Sequence, residues 1–185
     1  VKGLESDFVV TDNEDVGFRL TTDLVRRGHR QIGLVASDMD NTTTEDRFAG
    51  YKKALEAAGI PYDTALTGVF AGSSEPVAPA VVSRIMAHRQ RPTAFFCTND
   101  GVAEKLVETL TAFGYSIPQD AELATVDDND AVDALGIPML AATQASTEMG
   151  RASAEILLKR IGTRDIGPQQ LFLKAQFTGE DASGD

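Results

Sequence analysis

Apolar residues follow two rhythms along this chain. Short unbroken runs at Gln31–Ala36 (QIGLVA), Thr93–Thr98 (TAFFCT) and Glu122–Val126 (ELATV) have the length of strands buried on both faces. Asp7–Thr11, Leu66–Phe70 and Met139–Thr143 read as further strands, and Gln169–Thr178 as one closing strand of alternating polarity. Between them apolar residues recur at helical spacing: Val16, Leu20 and Leu24; Phe48, Tyr51, Leu55 and Ala58; Val81, Val82, Ile85 and Met86. Two more stripes follow, Ala103, Leu106, Val107, Leu110 and Phe113, then Met149, Ile156, Leu157 and Ile161. Asp12 or Asn13, Ser73 or Ser74, and Ser146 or Thr147 fit as helix starts; Gly28, Gly59 and Gly114 fit as stops.

Strands begin near residues 31, 66, 93 and 122, roughly every thirty residues, with a helix between each pair. That is the rhythm of βαβ units. It predicts an α/β fold: a three-layer, open parallel sheet with helices on both faces.

Composition narrows the function. The chain has 185 residues, enough for one domain or two small lobes, and its 42% apolar and 24% charged content is that of a folded protein. A net charge of −11 repels nucleic-acid phosphate, so the chain alone is not expected to bind DNA. Cys97, the one cysteine, has no internal disulfide partner and reads as an inert core residue in a reducing, cytoplasmic setting. Two histidines and one cysteine argue against a zinc site, and no cofactor is implied. No apolar run approaches the roughly 18 residues of a membrane span, and the first residues have no signal-peptide pattern.

The distinctive polar residues lie just past the strand ends. Ser37-Asp38-Met39-Asp40-Asn41-Thr42 follow one strand and Arg47 opens the next helix; Phe70, Asn99-Asp100 and Asp127-Asp128 follow the others. Open α/β sheets bind ligands at that edge. Carboxylates and an amide grip hydroxyls, an arginine donates a fork, and a phenyl ring offers a flat face, so the set suits a polyhydroxylated ligand. Each residue also fits a plainer role. Asp38, Asp40 and Asn41 fit a turn and cap, Arg47 fits a surface pair with Glu45 or Asp46, and Asn99 fits a helix cap. Phe70 fits the core, Asp127 and Asp128 a solvated turn, and His29 a loop after the Gly28 stop.

Two family resemblances compete. Asp38-Met39-Asp40-Asn41-Thr42 after a strand resembles the DxDxT motif of haloacid-dehalogenase-like phosphatases, with Thr98, Lys105 and Asp127-Asp128 as their further motifs. That resemblance implies a Mg²⁺-dependent phosphatase with Asp38 as nucleophile and Asp40 as general acid/base. A longer one spans about residues 9–175. Gly28-His29-Arg30-Gln31-Ile32, Arg47-Phe48-Ala49-Gly50-Tyr51 with Ala54-Leu55, and Pro92-Thr93-Ala94 leading to Asn99-Asp100 are similar to successive passages of LacI/GalR-family transcription regulators. Ile117-Pro118-Gln119-Asp120, Asp127-Asp128, Pro138-Met139-Leu140 and Glu148-Met149-Gly150 continue that match in order.

The longer resemblance implies the C-terminal lobe of a periplasmic-binding-protein-like effector domain, a binding module and not an enzyme. Residues 13–143 are expected to form mainly that lobe. Residues 1–12 and 144–165 are expected to be remnants of the N-terminal lobe, 166–178 a closing strand and 179–185 a tail. The helix-turn-helix head and the rest of the N-terminal lobe are expected to lie outside this chain, which leaves operator DNA to the head. Residue by residue, the resemblance makes Arg47, Asn99 and Asp127 effector contacts, places Phe70 and Thr43 in the pocket lining, and puts Gln144 at the lobe crossover. It implies a small-molecule effector, a sugar or a nucleoside, and a homodimer with Val81–Met86 and Val102–Leu110 near the contact faces; the apolar face of Thr147–Ile161, whose covering lobe is expected outside this chain, is a further expected contact. A sugar-binding protein of a transporter is a third reading.

Overall fold

The computed structural model describes residues 5–70, 77–127, 136–163 and 166–178. In chain order the elements are β1 (Phe8–Thr11), α1 (Asn13–Arg26), β2 (Ile32–Ala36), α2 (Thr42–Ala57), β3 (Thr67–Val69), α3 (Val77–Met86) and β4 (Ala94–Cys97). α4 (Asp100–Ala112), β5 (Glu122–Val126), β6 (Met139–Thr143), a helix we label α5 (Ser146–Gly162), β7 (Gln170–Leu173) and β8 (Gln176–Phe177) follow. The cap and stop residues explain the boundaries. Asp12 caps α1 through Asp15 N–H and Asn41 caps α2 through Thr44 N–H. Gly28 and Gly59 end these helices in the left-handed region, at φ 101° and 68°. α5 departs from expectation: its N-cap is Ala145, with no side-chain capping bond from Ser146 or Thr147. Ser73, Ser74, Asp128 and the tail from Gly179 lie outside the described residues.

Six strands form one sheet in the order β3-β2-β4-β5-β6-β8, parallel except for the β6–β8 edge pair. Successive side chains point to opposite faces. Leu34, Ala36, Phe96, Ala124, Val126, Leu140 and Ala142 therefore pack with Val16, Leu20 and Leu24 of α1 and Tyr51 and Leu55 of α2. Val35, Phe95, Cys97 and Leu123 pack on the other face with Val82, Ile85 and Met86 of α3 and Leu106 and Leu110 of α4. The α3 and α4 stripes expected near a contact face are thus committed to the sheet, and only the outer sides of those helices remain for a partner.

A second sheet has two strands, β1 and β7, paired in parallel with Phe8 opposite Gln170 and Thr11 opposite Leu173. The expected single closing strand is therefore two. β7 pairs with β1, the chain crosses at Lys174–Ala175, and β8 pairs antiparallel with β6. Alternating polarity is satisfied by either sheet, so the period alone could not show the break. The chain also crosses between sheets at Asp12 and at Gln144–Ala145.

Candidate functional site

Arg47 owes its position to a close helix crossing. A Cβ on Gly17 of α1 would lie 2.1 Å from Arg47 O, and one on Gly50 of α2 would lie 2.1 Å from Glu14 O and 2.6 Å from Phe18 N. The two backbones therefore touch directly, which sets Arg47 against the start of α1. Its side chain is only 5% exposed. Nε donates to Asn13 Oδ1 at 2.8 Å, and Nη1 donates to the carbonyl of Thr98. This excludes the surface pair with Glu45 or Asp46. Burial pulls the Arg47 pKa below its ordinary value, while the charge of Asp127 acts in the opposite direction.

Asp127 follows β5 at φ 67°, a left-handed conformation that Asp tolerates better than most residues. Its Oδ1 accepts from Gln144 N–H at 3.2 Å and its Oδ2 from Gln144 Nε2 at 2.7 Å. Gln144 Oε1 accepts from the Thr11 hydroxyl at 3.0 Å, and Asn13 Nδ2 donates to the Thr11 carbonyl at 3.0 Å. A continuous chain of hydrogen bonds thus runs from Thr98 through Arg47, Asn13, Thr11 and Gln144 to Asp127. It follows the carboxyl ends of β4, β5 and β6 and two of the three crossings between sheets.

Asn99 performs the plainer role and borders this chain as well. Its Oδ1 caps α4 through Val102 N–H at 2.9 Å, and its Nδ2 donates to Ser37 Oγ at 3.2 Å. Thr43 sits half-buried in the first turn of α2, one turn before Arg47 and on the same helical side. Phe70 follows β3, where its N–H bonds to Ala36 O at 2.7 Å and its ring packs partly buried against the α3–α4 side of the core. The structure joins Arg47, Asp127 and Gln144 in one network and brings Asn99 to its border. Phe70 lies beyond, at the edge strand.

Asn13 and Thr11 are the residues the sequence did not single out. Asn13 is 8% exposed and Thr11 3%. One signal for Asn13 was present: Asp12 and Asn13 both fit the cap, a helix needs one, and the structure gives the cap to Asp12 and buries Asn13 against Arg47. The acidic loop has a local role. Asp38 Oδ1 accepts from Asp40 N–H at 3.0 Å and Asn41 Nδ2 at 2.7 Å, and Asn41 Oδ1 accepts from Thr44 N–H at 2.8 Å. These are turn and cap bonds. Among the described residues no group of three or more His, Cys, Asp or Glu is placed to hold a metal ion. His29 Nδ1 lies 2.9 Å from Thr93 Oγ1, at the opposite end of the sheet. Burial pushes the Cys97 thiol pKa far up, which makes it a poor nucleophile.

A buried guanidinium held by neutral oxygens, beside a carboxylate aimed by amides, presents donors and acceptors at a strand-end edge. Such an edge can bind hydroxyls and ring heteroatoms. The profile of the periplasmic binding protein-like domain matches residues 21–178. The transcriptional repressor PurR of Haemophilus influenzae (strain PittEE) is 31% identical over 166 residues, which are 89% of this chain and 49% of that protein. The chain thus spans about half the length of the curated relatives it matches. Among solved structures, the complex of the transcriptional regulator CelR with cellobiose superposes with a TM-score of 0.82 at 28% identity, covering 94% of this chain and 53% of that one. A LacI family transcriptional regulator from Enterococcus faecium with bound ribose gives a TM-score of 0.81 at 26% identity, covering 96% of this chain and 64% of that one. With this match over most of its length, the chain belongs to the periplasmic binding protein-like domain family, in the form found in the effector domains of LacI/GalR-type regulators.

Proposed function

We propose that this chain is the effector-sensing part of a LacI/GalR-type transcriptional regulator, acting in the cytoplasm, with a sugar or nucleoside as its effector. The hydrogen-bonded chain from Arg47 to Asp127 carries this reading, because it joins the strand-end edge to the crossings between two sheets. A ligand with different affinities for two arrangements of those sheets shifts the balance between them. Arg47, Asn99 and Asp127 are its polar contacts, and Thr43 and Phe70 line its border. Cellobiose and ribose, bound by the two structural relatives, are polyhydroxylated, as these groups require.

On this reading residues 13–143 act mainly as one lobe, and 1–12 with 144–165 belong to a second lobe completed by further chain. DNA contact then falls to a separate basic head, consistent with a net charge of −11 here. Two copies associate, with the apolar outer face of α5 as the first candidate surface. The relatives are regulators, which favours this reading over the phosphatase one. Turnover of phosphate esters with Mg²⁺ that vanished in Asp38→Asn would overturn the regulator reading.

The test is operator binding by the full-length regulator, titrated against a sugar and nucleoside panel. Asp127→Asn should weaken the effector response about tenfold or more, since it replaces a charged acceptor by a neutral amide. Operator affinity without effector should stay unchanged. An unchanged response would remove Asp127 from the site.

A further inference from the structure

Gln144 stands where the chain leaves the six-stranded sheet for α5, and Thr11 ends β1 where the chain arrives from the two-stranded sheet. Gln144 takes hold of both oxygens of Asp127, one through its backbone N–H and one through its carboxamide. The other end of that carboxamide, Oε1, accepts from Thr11. Asp127 is constrained from its backbone too, since its N–H donates to Ala142 O at 2.9 Å. A carboxylate offers about four acceptor directions. Gln144 uses one on each oxygen, which fixes the carboxylate plane and leaves the remaining directions for other donors.

We propose that Gln144 is a positioning residue: it orients the Asp127 carboxylate and ties it to Thr11, so that a donor arriving at Asp127 is felt at the end of β1. A ligand hydroxyl donating to a free direction of Oδ2 shares that oxygen with Gln144 Nε2 and weakens its bond. The carboxamide then turns or loosens, and the acceptor of the Thr11 hydroxyl moves with it. The use of this device rests on Asp127 being an effector contact. The coupling itself needs no ligand, so the two ideas fail separately.

Amide hydrogen exchange on the chain tests it. The reporter is the Asp12 amide, which donates to Leu173 O at 2.9 Å across the two-stranded sheet. Gln144→Ala and Asp127→Ala should each speed its exchange about tenfold or more, as expected for loss of a bond to a charged group. Arg26→Ala, at an exposed side chain in the last turn of α1, should leave it within about twofold, and amides of Leu34 and Phe96 should keep their protection, reporting an intact core. Effects of Asp127→Ala confined to residues 126–127 and 142–144 would overturn the proposal. Should either alanine variant unfold, reversal of the bridge decides. Gln144→Glu alone sets two carboxylates face to face, while Gln144→Glu with Asp127→Asn restores a donor–acceptor pair. The double variant should return Asp12 exchange towards wild type. A double variant no better protected than Gln144→Glu also overturns the proposal.

Discussion

In the six-stranded sheet Leu34, Phe95, Phe96 and Leu123 are no more than 1% exposed, with helices packed on both faces. In the two-stranded sheet Leu171 and Phe172 are 38% and 58% exposed. α5 lies against β1, yet leaves Leu157, Leu158 and Ile161 at 60%, 68% and 71%. β4 and β7 are each four residues long and strongly apolar, so strand sequence does not make the difference. Layers do: a strand becomes core when both its faces are covered, and a two-stranded ribbon has too little area to do that alone. The small sheet leans instead on specific links. Arg160 Nη2 donates to Asp7 Oδ1 at 2.7 Å, Gln169 N–H donates to the same oxygen at 2.8 Å, and Gln144 bonds to Thr11.

The contrast is sharpest for core deletions. Phe96→Ala should destabilise the chain by about 3–5 kcal/mol in urea unfolding, because it empties a site sealed on every side. Leu158→Ala should change it by no more than about 0.5 kcal/mol, as for an exposed position. Equal costs would break the comparison.

Gly50→Ala comes next. The added methyl meets Glu14 O and Phe18 N, and both obstacles are backbone, so α1 and α2 must part at a cost of about 1–3 kcal/mol or more. Arg47 should shift with them, visible as altered Nε–H and Asn13 side-chain resonances in NMR spectra.

Self-association should follow the exposed face. Light scattering across a concentration series should show the chain associating, and Leu158→Glu with Phe172→Glu should return it to a monomer. A wild-type monomer at high concentration would show that the small sheet tolerates its open face.

Acid should give the smallest effect, confined to the small sheet. Hydrogen bonds from Arg160 and then Gln169 hold the Asp7 pKa below its ordinary value of 3.8. A group with a lowered folded pKa contributes stability that is complete above its unfolded value and lost as pH falls through the folded one. The Gln169 amide should therefore titrate below about pH 4 in NMR spectra, and Asp7→Asn should abolish that titration.

Several parts of the fold could be read from local chemistry. β2, β4 and β5 announced themselves as unbroken apolar runs, and the α1 and α2 stripes set their buried faces. Gly28 and Gly59 marked helix ends because few other residues accept positive φ. Asn99 and Asp127 were visible as polar groups just past strand ends, and Arg47 as a polar group on the helix after β2, although it lies inside α2 and does not open it. The cap role of Asn99 was visible too, because capping depends on a residue and its next three neighbours.

The pattern of apolar positions thus determined the layers, the parallel rhythm and the edge at which polar groups gather, because burial periodicity is a property of consecutive residues. Only the tertiary structure decided which sheet each half of Gln169–Thr178 joins, since both pairings satisfy the same alternation. It alone showed Arg47 buried against Asn13, 34 positions away, and Gln144 bridging Asp127 to Thr11, 133 positions away. Such contacts depend on how helices and crossings meet in space: Gly17 and Gly50 let two backbones touch, and that proximity sets the depth of the guanidinium.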